Sequence, residues 1–230
     1  METIQEPIYF YNKEDFPWYK NLEANWQLIR QELEAVLSSP ASHKISKAWM
    51  GAHPSYVKSE TGHDIAWKVY SFVFLGIRHK FHCEQCPETY KLLSQIPGLT
   101  GAEFSMMEPG THILPHKGYT RMVLRSHLAL IVPQPAEACA LRVGDQTRHW
   151  EEGKVWVFDD SYEHEAWNRS DARRAVLMFD IANPEMGYTA DQICRYKLNN
   201  VSDPFMLGIA PAEKWMEWYE QGYIPEDLTQ

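Results

Sequence analysis

The stretch MVLRSHLALIV, residues 122–132, decides the fold. Two kinds of residue alternate along it, and a period of two is typical of a β-strand whose faces lie in different surroundings. Arg125 and His127 share one face. The other face is apolar and consists of Leu124, Leu128, Leu130 and Val132. The stretch therefore predicts a strand that buries an aliphatic face and presents a guanidinium beside an imidazole on the other.

Further short strands are expected around this one, between residues 102 and 181. Gly144-Asp145 separates two of them and predicts a hairpin turn. The segments of strand character after residue 132 are 140–143, 146–150, 155–158, 163–167 and 173–181. Five or six antiparallel strands at this spacing predict a mainly β protein with flanking helices. The expected architecture is a double-stranded β-helix, that is, a jelly roll of the cupin-like kind.

Helices are expected at both ends of this β region. An apolar stripe at spacings of three and four predicts a helix from about Trp18 to Ser38, ended by Pro40. Pro87 begins a second, short helix. The residues after Pro184 are expected to form an irregular tail, followed by a helix over 211–221.

The length of 230 residues and the hydrophobic content of 44% suit one globular domain. We expect this single domain to span residues 1–230. Helical support and the first strands would extend to about residue 100, the β core would cover 101–182, and a C-terminal cap would cover 183–230.

The charge balance argues against polyanionic partners. Lys and Arg number 22 against 31 Asp and Glu, which gives a formal net charge of −9. Neither nucleic acid nor an anionic membrane is therefore an expected partner. No run approaches the ~18 to 20 apolar residues of a membrane helix, and the N-terminal region lacks an apolar signal core. The expectation is a cytoplasmic protein with four reduced cysteines.

Two of the ten histidines stand out by their position relative to the strands. His116 lies in a loop before the strand of Arg125, and His164 follows 48 residues later, after a turn. A jelly roll brings such segments to one mouth of the barrel, where two inward imidazoles can bind a divalent metal. The plainer alternative is that each is a surface or hydrogen-bonded core histidine.

Arg125 and Arg174 are unusual because each lies within an apolar strand, where a charge is costly unless it is paired. One interpretation is an internal salt bridge, for which the available acids are Asp159, Asp160 and Asp180. The other is a clamp for a carboxylate ligand, which a guanidinium binds through two hydrogen bonds. The spacing of the two histidines and two arginines, with His127 between them, resembles that of an Fe(II)/2-oxoglutarate oxygenase core.

Four longer motifs carry a resemblance to a known family. They are PGTHILPH at 109–116, LRSHL at 124–128, WEEGK at 150–154 and FDDSYEHEAW at 158–167. Together they closely resemble the aspartyl/asparaginyl β-hydroxylase family of Fe(II)/2-oxoglutarate-dependent oxygenases. The resemblance extends over roughly residues 8 to 190.

The resemblance implies a role for each site residue. His116 and His164 would be the iron ligands and would act in catalysis through the metal. Ser105 and Arg174 would hold the distal carboxylate of 2-oxoglutarate. The residues implied to contact this cosubstrate near the metal are Arg125 and His127.

Gly118 occupies the position where the wider oxygenase class commonly has a third, carboxylate ligand in a His-x-Asp motif. Aspartyl β-hydroxylases share this absence, so it agrees with the resemblance. The position would be left to water or an anion, and a halide is one possible occupant. Asp160 or Glu163 could approach the metal or orient an imidazole, with capping of the turn as the plainer alternative.

The resulting expectation is a hydroxylase that uses Fe(II), O2 and 2-oxoglutarate, which is decarboxylated to succinate. It would hydroxylate an unactivated carbon, most simply the β-carbon of an aspartyl, asparaginyl or related amino-acid substrate. That substrate could be a small molecule, a carrier-bound amino acid or a peptide. The alternatives are a halogenase, a lipid or small-molecule hydroxylase of the same superfamily, and a non-catalytic cupin-like protein that binds an organic acid.

Lys117 and Arg121 are further candidates for substrate binding. Residues 116–127 contain three basic side chains and no acid, a strip that would suit a dicarboxylate cosubstrate and an acidic substrate beside it.

The Cys83–Cys86 segment could also carry chemistry, as a redox-active pair or as a zinc site completed by His79 and His82. Only one such cysteine pair exists, so a structural role is the simpler interpretation.

Overall fold

Two β-sheets face each other in the computed structural model, which describes residues 6–39, 50–51, 57–62, 66–202 and 204–224. The larger sheet has the order β1 (Phe10–Tyr11), β11 (Val155–Phe158), β8 (Val123–Ile131), β13 (Arg174–Ala182), β6 (Leu99–Met107), β4 (Trp67–Phe74), β5 (Ile77–His79) and β14 (Tyr223–Ile224), with β2 (Met50–Gly51) paired to β4. The smaller sheet has the order β10 (Gln146–His149), β9 (Cys139–Val143), β12 (His164–Asn168), β7 (Thr111–His116) and β3 (Val57–Ser59). Every described pairing is antiparallel except that of β14 with β5. The predicted jelly-roll class is thus confirmed.

The two faces of the larger sheet pack against different layers, the N-terminal helices on one side and the smaller sheet on the other. Leu124, Leu128 and Leu130 of β8 pack in a core with the N-terminal helices, as the alternation predicted. The opposite face encloses a second core with the smaller sheet, which contributes Ile113 and Leu141. Arg125 and His127 therefore point into the space between the sheets.

Val132 departs from the predicted alternation. It follows the last residue of β8 and packs in the core between the sheets. Its backbone N–H donates to Glu152 Oε1, because the strand ladder no longer provides an acceptor.

The predicted count of five or six strands over residues 102–181 was too low. The structure has eight strands in this region when β6, which begins at Leu99, is included. His116 is also in a strand, β7, and not in a loop as expected. Prolines 109 and 115 gave this segment a loop-like pattern, yet Pro115 is exposed and lies within the strand.

The helices at the N-terminal side are α1 (Tyr19–Ala24), α2 (Trp26–Ser38), α3 (Lys80–Gln85) and α4 (Pro87–Leu93). The expected single helix from Trp18 to Ser38 is therefore two helices. Asn25 separates them, and its side-chain amide donates to Asn21 O at 2.8 Å, where it competes with helical bonding. Pro40 lies outside the described residues. The helix predicted at Pro87 is confirmed.

The C-terminal helices are α5 (Ala190–Asn199), α6 (Pro204–Ile209) and α7 (Ala212–Gln221). The tail after Pro184 was wrongly expected to be irregular, since α5 begins with a capping box between Thr189 and Gln192. The last predicted helix is confirmed and ends at Gly222 in the left-handed region. None of the described helices is long and apolar enough to span a membrane.

Candidate metal and cosubstrate site

His116 and His164 are neighbours at one edge of the space between the sheets. His116 ends β7 and His164 begins β12, and the two residues face each other in the strand register. Their ring centroids are 4.1 Å apart at an angle of 54°. The fold thus brings together two imidazoles that are 48 residues apart in sequence.

Backbone carbonyls set the tautomer of both rings. His116 Nδ1 lies 2.7 Å from Leu114 O, and His164 Nδ1 lies 3.0 Å from Tyr162 O. A carbonyl can only accept, so each Nδ1 carries the proton and each Nε2 keeps its lone pair, as in metal-binding histidines.

Burial keeps both imidazoles neutral. It lowers the pKa of His164 to about 3, with His116 as the next contribution, and lowers the pKa of His116 as well. Neutral rings need no proton to leave before a metal binds. Within the described residues, no group of three or more His, Cys, Asp or Glu side chains is arranged to hold a metal. Among the described residues, His116 and His164 remain a pair of neighbouring imidazoles and therefore the candidate metal ligands.

Gly118 is packed against Asp160. A Cβ atom on Gly118 would lie 2.5 Å from Asp160 Oδ1, and the Gly118 N–H donates to Asp160 O at 2.7 Å. Any other residue at 118 would collide with this carboxylate. The Asp160 carboxylate, four residues before His164, therefore occupies the space where a side chain at position 118 would begin.

The sequence suggested two kinds of role for the acids near this turn. One is capping of the turn, and the other is to approach the metal or orient an imidazole. Asp159 Oδ1, not Asp160, accepts the Ser161 N–H and caps the turn. Glu163 is half-exposed and pairs with Arg142 at 3.0 Å, so its carboxylate is directed toward the surface of the smaller sheet. Asp159 and Asp160 are both buried, and burial raises the pKa of Asp160 to about 6 although Arg125 lies beside it.

Arg125 forms the internal ion pair that the sequence left open. Its Nε and Nη2 donate to the two oxygens of Asp180, each at 2.9 Å, and its Nη1 lies 3.1 Å from Asp160 Oδ2. Asp180 is its register partner on β13. All three guanidinium nitrogens are therefore engaged by carboxylates.

Arg174 is buried without such a partner. Its Nη1 donates to Ser105 O at 3.3 Å, its Nη2 contacts Met107 Sδ, and its Nε has no hydrogen-bond partner. Its guanidinium lies 4.6 Å from the centre of the Trp150 ring. Burial lowers its pKa to about 10. None of the ion pairs among the described residues includes it, so it is a buried cation whose charge is uncompensated by a carboxylate.

His127 connects the two parts of the site. It is buried, both of its ring nitrogens lack a hydrogen-bond partner, and burial holds its pKa well below the usual range. The further contributions to this shift come from Arg174, Arg125 and His164, so His127 lies within electrostatic range of all three.

Ser105 lies next to Arg174 on the same inner face. Its Oγ accepts a hydrogen bond from Trp67 Nε1 at 3.0 Å, which leaves its own hydroxyl proton for a ligand. With His127 and Arg174, it gives the interior a set of buried donors that suits a carboxylate.

Lys117 and Arg121 lie on the exposed rim. Lys117 is exposed, whereas the Arg121 Nε lies 3.5 Å from Asp159 Oδ2 and its guanidinium lies above the Tyr162 ring. The expected basic strip is therefore not one positive surface. Aspartates neutralise two of its three cations, because Arg121 pairs with Asp159 and Arg125 pairs inside the barrel.

Sequence reasoning missed two interior residues. Trp150 lies 4.6 Å from the Arg174 guanidinium carbon and 6.0 Å from the His127 ring, measured from its own ring centre. Glu103 lies on the inner face of β6 beside Met178 and Ser71, and burial raises its pKa to about 7. Strand alternation relative to Ser105 would have placed Glu103 on this face.

The Cys83–Cys86 segment forms a packed cluster. The His79 and His82 rings stack with centroids 3.4 Å apart, and Tyr70 stacks on His82. Cys83 Sγ donates to Phe72 O, and burial raises the pKa of both thiols. All four cysteines are free and buried. Within the described residues, this cluster does not arrange three side chains so that they could hold a metal ion. Its thiols are protonated and therefore unreactive.

Comparison with known proteins agrees with the motifs. A family model described as aspartyl/asparaginyl beta-hydroxylase matches residues 23–184. The chain is 41% identical over 178 residues to an ornithine lipid ester-linked acyl 2-hydroxylase of Rhizobium tropici. It is 37% identical over 172 residues to the aspartyl/asparaginyl beta-hydroxylase of Homo sapiens.

The matched regions cover most of this chain but a smaller share of the relatives. They make up 76% of this chain and 60% of the Rhizobium protein, and 73% of this chain and 21% of the human protein. Among solved structures, a Pseudomonas putida prolyl-4-hydroxylase is similar over 72% of this chain and 99% of its own, with a TM-score of 0.42 and 14% identity. This likeness is too distant to add to the fold described above.

Proposed function

This chain belongs to the aspartyl/asparaginyl β-hydroxylase family, and we propose that it is an Fe(II)/2-oxoglutarate-dependent dioxygenase that hydroxylates an unactivated carbon. One observation carries the proposal. The inner face presents two neutral imidazoles and, beyond them, a buried guanidinium that lacks a carboxylate partner. The first feature suits a divalent iron ion and the second suits the far carboxylate of a dicarboxylate cosubstrate.

His116 and His164 would hold the iron through their Nε2 atoms. Their Nδ1–H bonds to Leu114 O and Tyr162 O fix both ring orientations before any ligand binds. Since Gly118 offers no ligand atom, the remaining positions stay open to the cosubstrate, O2 and water. When bound, iron with 2-oxoglutarate supplies the oxidising chemistry, in which 2-oxoglutarate is decarboxylated to succinate and a C–H bond is hydroxylated.

The protein's own contribution is to bind and orient the cosubstrate. Arg174 and Ser105 would hold its distal carboxylate, and the uncompensated charge of Arg174 makes this contact strongly favourable. His127 would donate to the end nearer the metal. Arg125 would lie beside the end of the cosubstrate nearer the metal. Its ion pair with Asp160 holds that carboxylate against Gly118.

The substrate proposed first is an aspartyl, asparaginyl or related amino-acid group, hydroxylated at its β-carbon. It could be free, carrier-bound or within a peptide. The family model and the human relative both carry this activity in their names.

A lipid acyl chain is the second candidate substrate. The observation in its favour is the higher identity, 41%, to a protein named as an ornithine lipid hydroxylase. Halogenation receives no such support, since the Asp160 carboxylate beside Gly118 disfavours a halide by charge repulsion.

Anaerobic absorption spectroscopy tests the metal and cosubstrate assignment. Addition of Fe(II) and 2-oxoglutarate should produce a weak visible charge-transfer band, which His116→Ala and His164→Ala abolish. His112→Ala is the matched control, because His112 pairs with Glu165 on the other face of β7 and should leave the band intact. A protein that shows neither the band nor release of succinate from 2-oxoglutarate would be a binding protein and not an oxygenase.

A substrate screen then separates the candidates. Succinate formation above the uncoupled background is measured with aspartyl and asparaginyl peptides, with free amino acids and with an amino-acid-linked lipid in detergent. Oxygen incorporated at a β-carbon supports the first substrate class. Oxygen found only in the acyl chain would replace it with the second.

A further inference from the structure

A groove opens on the side of the β-sandwich, and neither histidine of the candidate metal site lines it. It has a volume of about 620 Å3, and its walls include Phe10, Lys13, Arg148, Lys154 and Trp156. It lies where the edge strands of the two sheets approach each other, since Arg148 of β10 contacts Phe10 of β1. No step of the proposed function uses it.

Arg148 is the distinctive residue of this groove. Its guanidinium carbon lies 3.9 Å from the centre of the Phe10 ring. The side chain is half-buried, and in the described part of the chain no carboxylate pairs with it. Burial alone shifts its pKa, downward. Because stacking uses the face of the guanidinium, its N–H donors remain available at the edge for a planar anion.

Arg148 shares two properties, a lowered pKa and a contact with an aromatic ring, with Arg174, the residue proposed to hold the cosubstrate. Arg148 and Arg174 are the described arginines whose pKa is lowered, and each lies over an aromatic ring, Phe10 for the first and Trp150 for the second. The other buried arginine of the interior, Arg125, has two acids instead. Arg148 therefore shares with Arg174 a partly desolvated guanidinium that no carboxylate of the described residues pairs with.

The remaining lining of the groove suits an anion with a flat apolar body. Lys154 is exposed and has no ion pair among the residues that the structure describes, whereas Lys13 is engaged by Glu23 at 2.6 Å. Glu151 is the acid in the lining. Trp156 forms an aromatic wall that is stacked on Trp150 with centroids 5.4 Å apart, so its position is fixed from inside the barrel.

We propose that this groove binds a small organic anion, whose carboxylate or phosphate accepts hydrogen bonds from Arg148 beside Lys154 while its flat body lies against Trp156. The volume falls within the ~300–1,000 Å3 of small-molecule sites. None of the residues proposed to hold the metal or the cosubstrate lines the groove.

Binding of phenyl phosphate, followed by NMR, tests the proposal. The indole N–H resonance of Trp156, assigned by its loss in Trp156→Phe, should shift in a saturable way. Arg148→Gln should weaken binding about tenfold or more, because a charge-assisted contact is lost. Arg148→Lys should give an intermediate affinity, and it keeps the charge should the glutamine variant fold poorly. Lys154→Gln should weaken binding by about two- to fivefold, as a single exposed charge does.

A reference variant makes the result specific. Arg169→Gln removes a similar stacked cation, 4.8 Å from the Trp167 ring and outside the groove, and should leave the affinity unchanged. Equal affinity in wild type and in both Arg148 variants, or an equal loss in Arg169→Gln, would overturn the proposal. Inorganic phosphate should bind more weakly than phenyl phosphate and benzamide hardly at all; parity of either with phenyl phosphate would refute an organic anion as the ligand.

Discussion

The two arginines on the inner face of the larger sheet are buried in opposite ways. Arg125 lies near the two histidines and is held by Asp180 and Asp160. Arg174, at the other end of β13 from Asp180, has a carbonyl, a thioether and a tryptophan ring around it. The paired cation stabilises the framework, because removing it would leave the buried Asp160 and the partly buried Asp180 without their cation. The unpaired cation lowers stability until an anion binds, which supports the proposal that its end of the interior is a ligand pocket.

Arg125→Met tests the framework end and should have the largest effect. Breaking a buried pair leaves Asp160 and Asp180 without their cation, so the free energy of unfolding should fall by about 3–5 kcal/mol. Chemical denaturation at pH 7 measures it, and Arg125→Lys should recover part of the loss. A change within about 1 kcal/mol, as for an exposed pair, would show that Arg125 is not a framework residue.

Arg174→Met tests the ligand end of the interior. Here we expect a large effect on ligand affinity and little or no loss of stability. The affinity for 2-oxoglutarate should fall at least 100-fold, or about 2.7 kcal/mol, while the thermal midpoint of the ligand-free protein stays constant or rises. Calorimetric titration and thermal melts provide the two numbers. Arg173→Met is the neighbouring control, since Arg173 pairs with Glu108 and its side chain is largely exposed. Unchanged affinity in Arg174→Met would remove Arg174 from the cosubstrate pocket.

Gly118→Ala strains the framework end without removing a charge. The new Cβ would meet Asp160 Oδ1 at 2.5 Å, and Arg125 restrains that carboxylate. The expected loss of stability is about 1–3 kcal/mol. Gly208→Ala is the matched control, because nothing lies within 4 Å of its added Cβ. Equal unfolding free energies in the two alanine variants would show that Asp160 moves aside freely.

The stacked pair of His79 and His82 extends the comparison to groups that are buried without charge. Burial lowers their pKa values to about 4 and about 3, so the unfolded chain binds more protons than the folded chain between about pH 6.5 and 4. The stability they contribute is complete above pH 6.5 and is lost as the pH falls. Between pH 7 and 5, His82→Gln should therefore lose less stability than the wild type, by about 1–2 kcal/mol.

His112→Gln is the control for this pH series, since its ring is paired with Glu165 and is half-buried. Chemical denaturation at each pH measures the free energy of unfolding, and its change with pH gives the slope for each protein. Parallel slopes for wild type and His82→Gln would mean that the stacked pair titrates normally in the folded protein.

Local sequence signals predicted much of the framework. Alternation located β8 and its two faces, Gly144-Asp145 located the β9–β10 hairpin, and Pro87 and Gly222 marked helix ends. The errors in predicting helices and strands arose where two local sequence signals competed. Asn25 divides an unbroken apolar stripe, and two prolines concealed strand β7. The capping box at Thr189 was available in the sequence and would have predicted α5.

The candidate site was predictable in its members but not in their partners. Spacing and the family motifs identified His116, His164, Arg125 and Arg174, and the fold places them on one interior. The same sequence left salt bridge and ligand clamp open for both arginines. The structure assigns the salt bridge to Arg125 and leaves Arg174 without one.

The sequence by itself determined the residue types, their strand faces and the family, because alternation and motif spacing are properties of neighbouring positions. Only the tertiary structure decided which charges are compensated. Asp180 lies 55 residues from Arg125 and reaches it through strand pairing, and Asp160 reaches it through a turn packed on Gly118. Coulomb energies depend on distance and on burial, and neither quantity exists until the sheets have closed around the site.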